Sequence, residues 1–292
     1  MIEDVLLPNN LAGVIVLYHP DRSTIANIES YIYSLSHLYV IDNSENSDHA
    51  LVGDICELSD TISYHPFGTN NGIATALNRG CFLALQDGYH WLLTMDQDSH
   101  FDKDDFFKSI FNHTYTNTAI ITASYNSVYL NMRPSEFPLF NEVAFVITSG
   151  NVLNLRIWEL TGRFIDKLFI DEVDNEFCIR AVNHGFKILA SKQVYLLHRL
   201  GDGFPAKHLF TGKKITLVKH SPVRVYYTIR NNLYLWRKFL FSNFDFVLNR
   251  VKNILYLVGK ILLYFPNKKE YFRYIFMALR DSIKGKYGKF GN

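Results

Sequence analysis

The chain has 292 residues, of which 48% are hydrophobic, 15% aromatic and 20% charged, and its net charge is +2. That is too apolar for disorder and enough for a large core, with room for one α/β domain and an appended helical region. Three cysteines, Cys56, Cys81 and Cys178, are too few and too scattered for a disulfide framework or a Cys-x-x-Cys metal knuckle, so a reducing compartment is expected.

The opening MIEDVLLPNN carries acids where a secretory signal has Lys or Arg, so no export is expected. No stretch reaches the roughly 18 uncharged apolar residues of a spanning helix. The best candidate, 239–265, is interrupted by Asp245, Arg250, Lys252 and Lys260. Charge is unevenly spread: residues 230–292 hold thirteen Lys/Arg against three Asp/Glu, or +10, which leaves −8 for residues 1–229. A basic, aromatic end on an acidic body suits an anionic surface, and a solvated helix face is the plainer reading.

In chain order, LAGVIVLYHP from Leu11 is a short continuous apolar run ended by His-Pro, the pattern of a strand buried on both faces of a parallel sheet. A helix is predicted from Ser23 to about Leu35, then strands at LYVIDNSEN and TISYHP, each stopping at polar or proline residues. NNG opens a helix over Gly72–Gln86, closed by Asp87-Gly88, and WLLTM is the next strand, ending abruptly at Asp96-Gln97-Asp98. AIITASYN and VAFVITSGN are predicted as the fifth and sixth strands, with an irregular two-proline loop near Met132–Pro138 between them. Helices at about Leu155–Thr161 and 173–184 follow, the second capped by Gly185, and KILASKQVYLLH returns as strand. From Ser221 the spacing of Arg224, Tyr227, Arg230, Asn231, Tyr234, Arg237 and Lys238 is helical. Strands alternating with helices predict an open, mostly parallel α/β sheet.

In such sheets ligands bind beyond the carboxyl ends of the strands, so acids standing where apolar runs stop are the first candidates. Asp42, Asp96 and Asp98 are such residues. While strand geometry persists, Asp96 and Asp98 point to one face and converge on one divalent cation, for which oxygen ligands suit Mg²⁺ or Mn²⁺ and a bound diphosphate. The tripeptide alone is weak, since a second D-x-D stands at Asp102/Asp104, and a solvated acidic turn is the alternative. In IDEVDNEFCIR, Asp171, Glu172, Asp174 and Glu176 crowd a helix start. The helix dipole accounts for two of them, and one of the others is a candidate general base for an acceptor hydroxyl. His198 ends a strand in LLHRLGDG, where an imidazole serves either packing or a metal.

Taken in order, VIVLYHP, VIDNSEN, NNGIATALNRG, WLLTMDQDS, VITSGNVLNLRIWELTGRF, LFIDEVDNEFCIRAVNHGFKI, LLHRLGDG and SPVRVYYTIRNNLYLWRKF resemble the family 2 glycosyltransferases, in particular their bacterial rhamnosyltransferase-like branch. The resemblance implies a GT-A fold over residues 1–220, with a nucleotide-binding half of about 1–100 and an acceptor half of about 101–220, and a basic aromatic helical region over 221–292. It implies that Asp96 and Asp98 bind metal and diphosphate with His198 as a further metal ligand. Asp42 matches the nucleobase contact, and Tyr18, Asn70, Gly72 and Asn78 fall in segments that shape the donor pocket. Each of the last three could equally cap or pack its helix. Gly150, Asn151 and Trp158 lie where the family builds the acceptor and donor-sugar floor, and core packing is the rival role for Trp158. The family's Glu-Asp base motif is Val173-Asp174 here, which makes Asp174 the expected base and Asp171 the alternative.

The resemblance further implies an inverting transfer dependent on Mn²⁺ or Mg²⁺, from a dTDP- or UDP-sugar donor to a lipid-linked oligosaccharide at the inner face of the cytoplasmic membrane. L-Rhamnose is the expected sugar and no nucleic acid is an expected partner. Arg224, Tyr227 and Arg230 are expected to hold their helix against the active-site face. The apolar stripes beyond it read as an interfacial helix pair, with homodimer packing as the competing explanation. A UDP-sugar-dependent transferase of the same fold and an inactive carbohydrate-binding scaffold are the alternative functions.

Overall fold

The computed structural model describes residues 1–102, 105–126, 140–198, 203–207 and 212–291, and of residues 125–126, 192–195, His198 and Phe204 the backbone alone. The two-proline loop, Asp104, and most of the glycine-bearing segment after His198 therefore lie outside the described residues. The chain divides into two compact units. One comprises Met1–Phe169 and Val173–Arg199, the other Ile170–Glu172 and Leu200–Asn292.

The first unit contains β1 (Glu3–Leu6), β2 (Leu11–Leu17), α1 (Ser23–Glu29), β3 (His37–Asp42), α2 (His49–Cys56), β4 (Ile62–Pro66), α3 (Ile73–Gln86), β5 (Trp91–Asp96) and β6 (Ser99–Phe101). It continues through α4 (Asp105–Ile110), β7 (His113–Thr116), β8 (Thr118–Asn126), β9 (Phe140–Glu142), β10 (Asn151–Asn154), α5 (Leu155–Thr161), α6 (Val173–Asn183) and β11 (Lys187–His198). Nine strands form the main sheet in the order β4-β3-β2-β5-β10-β8-β11-β6, with β9 also on β11, while β1 and β7 pair separately. Every residue of β2 is buried, as a strand covered on both faces requires.

From β4 through β5 the pairing is parallel. β10 then runs antiparallel between β5 and β8, and β11 pairs parallel with β8. The chain leaves β2 for β3 and β4 on one side and comes back to β5 on the other, which creates a switch point and a crevice at the carboxyl ends of β2 and β5. α3 lies tight on β2, for a Cβ on Gly80 would stand 2.4 Å from a Val14 methyl.

Two local expectations change. The helix from Ser23 ends at Glu29 and is followed by a 3₁₀ turn, Ile32–Ser34. The run VAFVITSGN is not a strand until Asn151, because residues 143–148 are exposed or half-buried and their apolar side chains have no sheet face to cover.

The second unit contains β12 (Gly203–Lys207) and β13 (Lys214–Val218), which form a hairpin, and helices α7 (Pro222–Phe239), α8 (Phe244–Tyr264) and α9 (Lys268–Ile283). Ser221 caps α7 by accepting from the Arg224 N–H at 3.2 Å. Arg230 is 1% exposed, sits 5.0 to 5.5 Å from the rings of Tyr226, Tyr227 and Tyr287, and donates to the Gly288 carbonyl at 2.7 Å. The Tyr227 hydroxyl accepts from the Phe290 N–H, and Tyr226 donates to Asp281. Tyr227 and Arg230 thus bind the C-terminal tail, and Arg224 binds Asp171. Among the described residues no helix is long and apolar enough to cross a membrane.

Candidate active site

Asp42 ends β3 and is fully buried. Its carboxylate accepts from the Ser44 N–H at 2.9 Å, the Ser47 hydroxyl at 2.6 Å and the Tyr64 hydroxyl at 2.7 Å. Burial pushes its pKa up, but these donors outweigh it and hold the group below the ordinary carboxylate range. Asp42 therefore shapes the loop after β3 from beneath. The adjoining Asn43 reaches sideways, donating to Asn70 Oδ1 at 3.0 Å and accepting from the Asn71 N–H at 2.8 Å. Asn70 also accepts from the Gly72 N–H.

Gly72 is needed for two reasons. Its φ is 86°, and a Cβ there would lie 2.6 Å from the Phe169 carbonyl oxygen. The next N–H, of Ile73, donates to that same carbonyl at 2.7 Å. Asn78 is buried and its amide bridges α3 to the Phe164 backbone and to Asp166. Its observed role is to pack α3.

Across the crevice, β5 ends at Asp96 and the chain turns at Gln97-Asp98 before β6. Strand geometry does not extend to Asp98, so Asp98 stands in the turn after the strand and the expected strand alternation does not relate the two carboxylates. The residue between them organises that turn. Gln97 accepts from the Tyr18 N–H at 2.7 Å, donates to the Tyr18 carbonyl at 3.1 Å, and its own carbonyl accepts from Asn27 at 2.8 Å. Tyr18 itself is 44% exposed at the end of β2. The Asp96 N–H donates to Ser149 at 3.1 Å. Below it the Tyr31 phenol is buried, and burial together with the Asp96 charge raises its pKa.

His198 pairs with Ser99 in the β11–β6 register, so its backbone stands beside the residue that follows Asp98. Among the described side chains no group of three or more His, Cys, Asp or Glu is gathered to hold a metal, and the His198 side chain is not among them. Asp96 and Asp98 are half-buried hard-oxygen donors at a strand end, a set whose chemistry fits Mg²⁺ or Mn²⁺ shared with a diphosphate.

The four acids of the 171–176 segment separate into different roles. Glu176 is 0% exposed and makes a bidentate pair with Arg180, at 2.7 and 2.7 Å from Nε and Nη2, while Arg180 also binds the Thr161 and Arg163 carbonyls. Asp171 accepts from Arg224 at 3.0 Å and from Thr228 at 3.0 Å. Glu172 accepts from Asn232 at 3.0 Å. Asp174 stands in the first turn of α6, accepts from the Asn175 N–H at 2.7 Å, and lines a small cavity with Thr94, Thr148, Asn151, Phe164 and Cys178. Burial, with the Asp174 charge adding to it, pushes the Cys178 thiol up to about 12.

Asn151 donates to the Ile147 carbonyl at 2.6 Å while its buried Oδ1 has no partner among the described residues. Gly150 has φ 79° and a Cβ there would meet Leu196 at 2.9 Å. Trp158 is fully buried against Phe82, with ring centroids 5.6 Å apart, so it serves the core and is not open to an acceptor. Sequence reasoning missed Gln97 and Asn43. The signal for each was its position, between two candidate acids and directly after one.

A sheet with this switch point and an antiparallel β10 inserted beside β5 is the GT-A arrangement, the fold of nucleotide-sugar glycosyltransferases. The chain is a glycosyltransferase and carries a family 2 domain: residues 22–164 match the family described as glycosyl transferase family 2. It is 27% identical to the dTDP-rhamnosyl transferase RfbF of Shigella flexneri over 95% of this chain and 96% of that protein. Among solved structures it is similar to GalNAc-T7 with UDP, GalNAc and Mn²⁺, at a TM-score of 0.60 and 12% identity, with 97% of this chain and 58% of that chain covered. It is also similar to TarS of S. aureus, at 0.55 and 16%, covering 94% and 49%. The 1–349 piece of TarS in complex with UDP-GlcNAc matches at 0.55 and 14%, covering 95% and 81%. The chain thus spans about half to three fifths of the full GalNAc-T7 and TarS chains, and these likenesses show the fold.

Proposed function

We propose that this chain is an inverting, divalent-metal-dependent rhamnosyltransferase that moves L-rhamnose from dTDP-L-rhamnose to a hydroxyl of a lipid-linked bacterial surface polysaccharide intermediate, of O-antigen or capsule type. The observation that carries this reading is the end-to-end similarity to a dTDP-rhamnosyl transferase.

Asp96 and Asp98, with His198, would hold Mn²⁺ or Mg²⁺, which when bound offsets charge on the leaving diphosphate. Tyr18, Asp42, Asn70 and Gly72 form or support the nucleotide pocket, and Gly150 and Asn151 the floor beneath the sugar. Asp174 is the base that takes the proton from the acceptor hydroxyl. Asp171 is set aside because both its oxygens accept from Arg224 and Thr228. One displacement on the face opposite the leaving group inverts the anomeric centre, so a β-L-rhamnose donor yields an α-L-rhamnoside.

The acceptor's lipid places the work at the inner face of the cytoplasmic membrane, and α8 and α9 suit that surface. Exposed Phe244, Leu248, Leu255 and Leu262 recur along one face of α8, and Phe272, Phe276, Leu279 and Ile283 along α9, among exposed Lys252, Lys268, Lys269, Arg273 and Lys284. Face-to-face pairing of two copies would oppose these like charges, which favours an anionic lipid surface over a homodimer.

Two solved neighbours hold UDP or UDP-GlcNAc, which supports a UDP-sugar as the second reading of the donor. Thermal unfolding with dTDP-rhamnose, UDP-galactose, UDP-glucose and GDP-mannose, each with and without Mn²⁺, tests both readings, because a bound donor raises apparent stability. A Mn²⁺-dependent shift with dTDP-rhamnose alone is expected. A shift only with a UDP-sugar moves the substrate, and no shift with any donor leaves a scaffold.

A further inference from the structure

Among the described residues, 169–172 holds three of the eight non-glycine residues with positive φ. Phe169, Asp171 and Glu172 have φ of 66°, 62° and 64°, positive values that residues bearing a Cβ avoid. Successive non-glycine residues hold such a conformation only where their surroundings over-determine it.

For residues 170–172 the surroundings are one stripe of α7. Arg224 donates from Nε and Nη2 to Asp171 Oδ1 at 3.2 and 3.0 Å, and the Thr228 hydroxyl donates to Oδ2 at 3.0 Å. The Asn231 amide donates to two successive carbonyls, of Ile170 at 2.6 Å and Asp171 at 3.0 Å. The Asn232 amide donates to Glu172 Oε1 at 3.0 Å, and Arg250 of α8 lies 3.4 Å from the same oxygen. Positions 224, 228, 231 and 232 share one face of a helix. Covalently, Glu172 is followed by Val173, the first residue of α6, and then by Asp174.

We propose that Arg224, Thr228, Asn231 and Asn232 are positioning residues for the transfer reaction. By holding Asp171 and Glu172 at their positive φ, they fix the backbone three and two residues ahead of Asp174, and so the place of its carboxylate. The proposal rests on the reading of Asp174 as base. A base works only within hydrogen-bond reach of the proton it takes, and a displacement on the order of 1 Å costs about 10²-fold in rate. Directional donors grip the Ile170 and Asp171 backbone carbonyls and the Asp171 and Glu172 carboxylates.

The test uses the full chain, dTDP-L-rhamnose, Mn²⁺ and a bacterial lipid-linked oligosaccharide extract as acceptor, with dTDP release as the rate. Asn231→Ala is expected to leave donor Kd and KM within about twofold of wild type while kcat falls about 10- to 100-fold. Should Asn231→Ala not fold, Thr228→Val, which removes one donor and keeps the shape, should show the same split at a several-fold loss of kcat. In an Asp174→Asn background, Asn231→Ala should lower the residual rate no further, since it acts through Asp174. An unchanged kcat in both single variants, a loss confined to KM, or a full additional loss in the double variant overturns the proposal. Normal transfer by Asp174→Asn alone overturns the base assignment instead, and is read from a different variant.

Discussion

At the scale of single residues, what matters is which carboxylates are already committed. Asp42, Glu176 and Asp171 each accept from strong donors, and their chemistry is spent on holding loops and helices. Asp174→Asn should leave metal-dependent donor binding intact and cut transfer to a small residual rate, checked by calorimetric titration beside a turnover assay. Asp98→Ala should remove the Mn²⁺ dependence of donor binding, and titration of the donor with and without the ion reads this directly.

Asp42 makes a stability prediction. Its folded pKa is depressed, so its contribution is present above the ordinary carboxylate value and is lost as pH falls through the depressed one. Asp42→Asn should therefore cost about 2 kcal/mol at neutral pH. The gap between the two melting curves should close in acid below the ordinary carboxylate range.

At the scale of elements, two fastenings set the geometry of the first unit's site. The loop ahead of α3 closes on Phe169 through Gly72, where any side chain would overlap the Phe169 carbonyl. Gly72→Ala should lower Tm and weaken donor binding together, a coupling visible in a thermal-shift titration. The buried Glu176–Arg180 pair ties α6 to the 161–163 loop, and Glu176→Gln leaves the guanidinium buried without its counter-charge, at about 3–5 kcal/mol. The segment 169–172 carries three non-glycine residues at positive φ, each costing on the order of 1–3 kcal/mol, which is the kind of strain that clusters where function needs a fixed geometry.

At the scale of the whole molecule, the chain joins a unit built on the nine-stranded sheet to a helical unit with exposed apolar stripes bordered by lysine and arginine. Removing 241–292 outright would strip from α7 the helix and tail that bury Arg230 and Tyr226, so it is not a clean test of membrane attachment. Leu255→Glu with Phe276→Glu is, because both side chains are more than 60% exposed. The double variant should sediment less with anionic vesicles than wild type and melt at nearly the same temperature.

The strands β2, β3, β5 and β11, the helices α3, α5, α6 and α7, and the acids standing at strand ends were all legible in the linear chain. Period, capping residues and the points where apolar runs stop are local properties, and the order of eight motif segments is itself linear. The chain could not show that VAFVITSGN stays out of the sheet until Asn151, since β-branched residues form a strand only where a neighbour pairs with them. Nor could it show that Asp171 is taken up by Arg224, or that Trp158 is core, because those partners stand 50 and more residues away. Hydrogen-bond commitment and burial are properties of who stands opposite whom. The roles of Gln97, Asn43 and the α7 stripe became visible only once the fold had brought their partners to them.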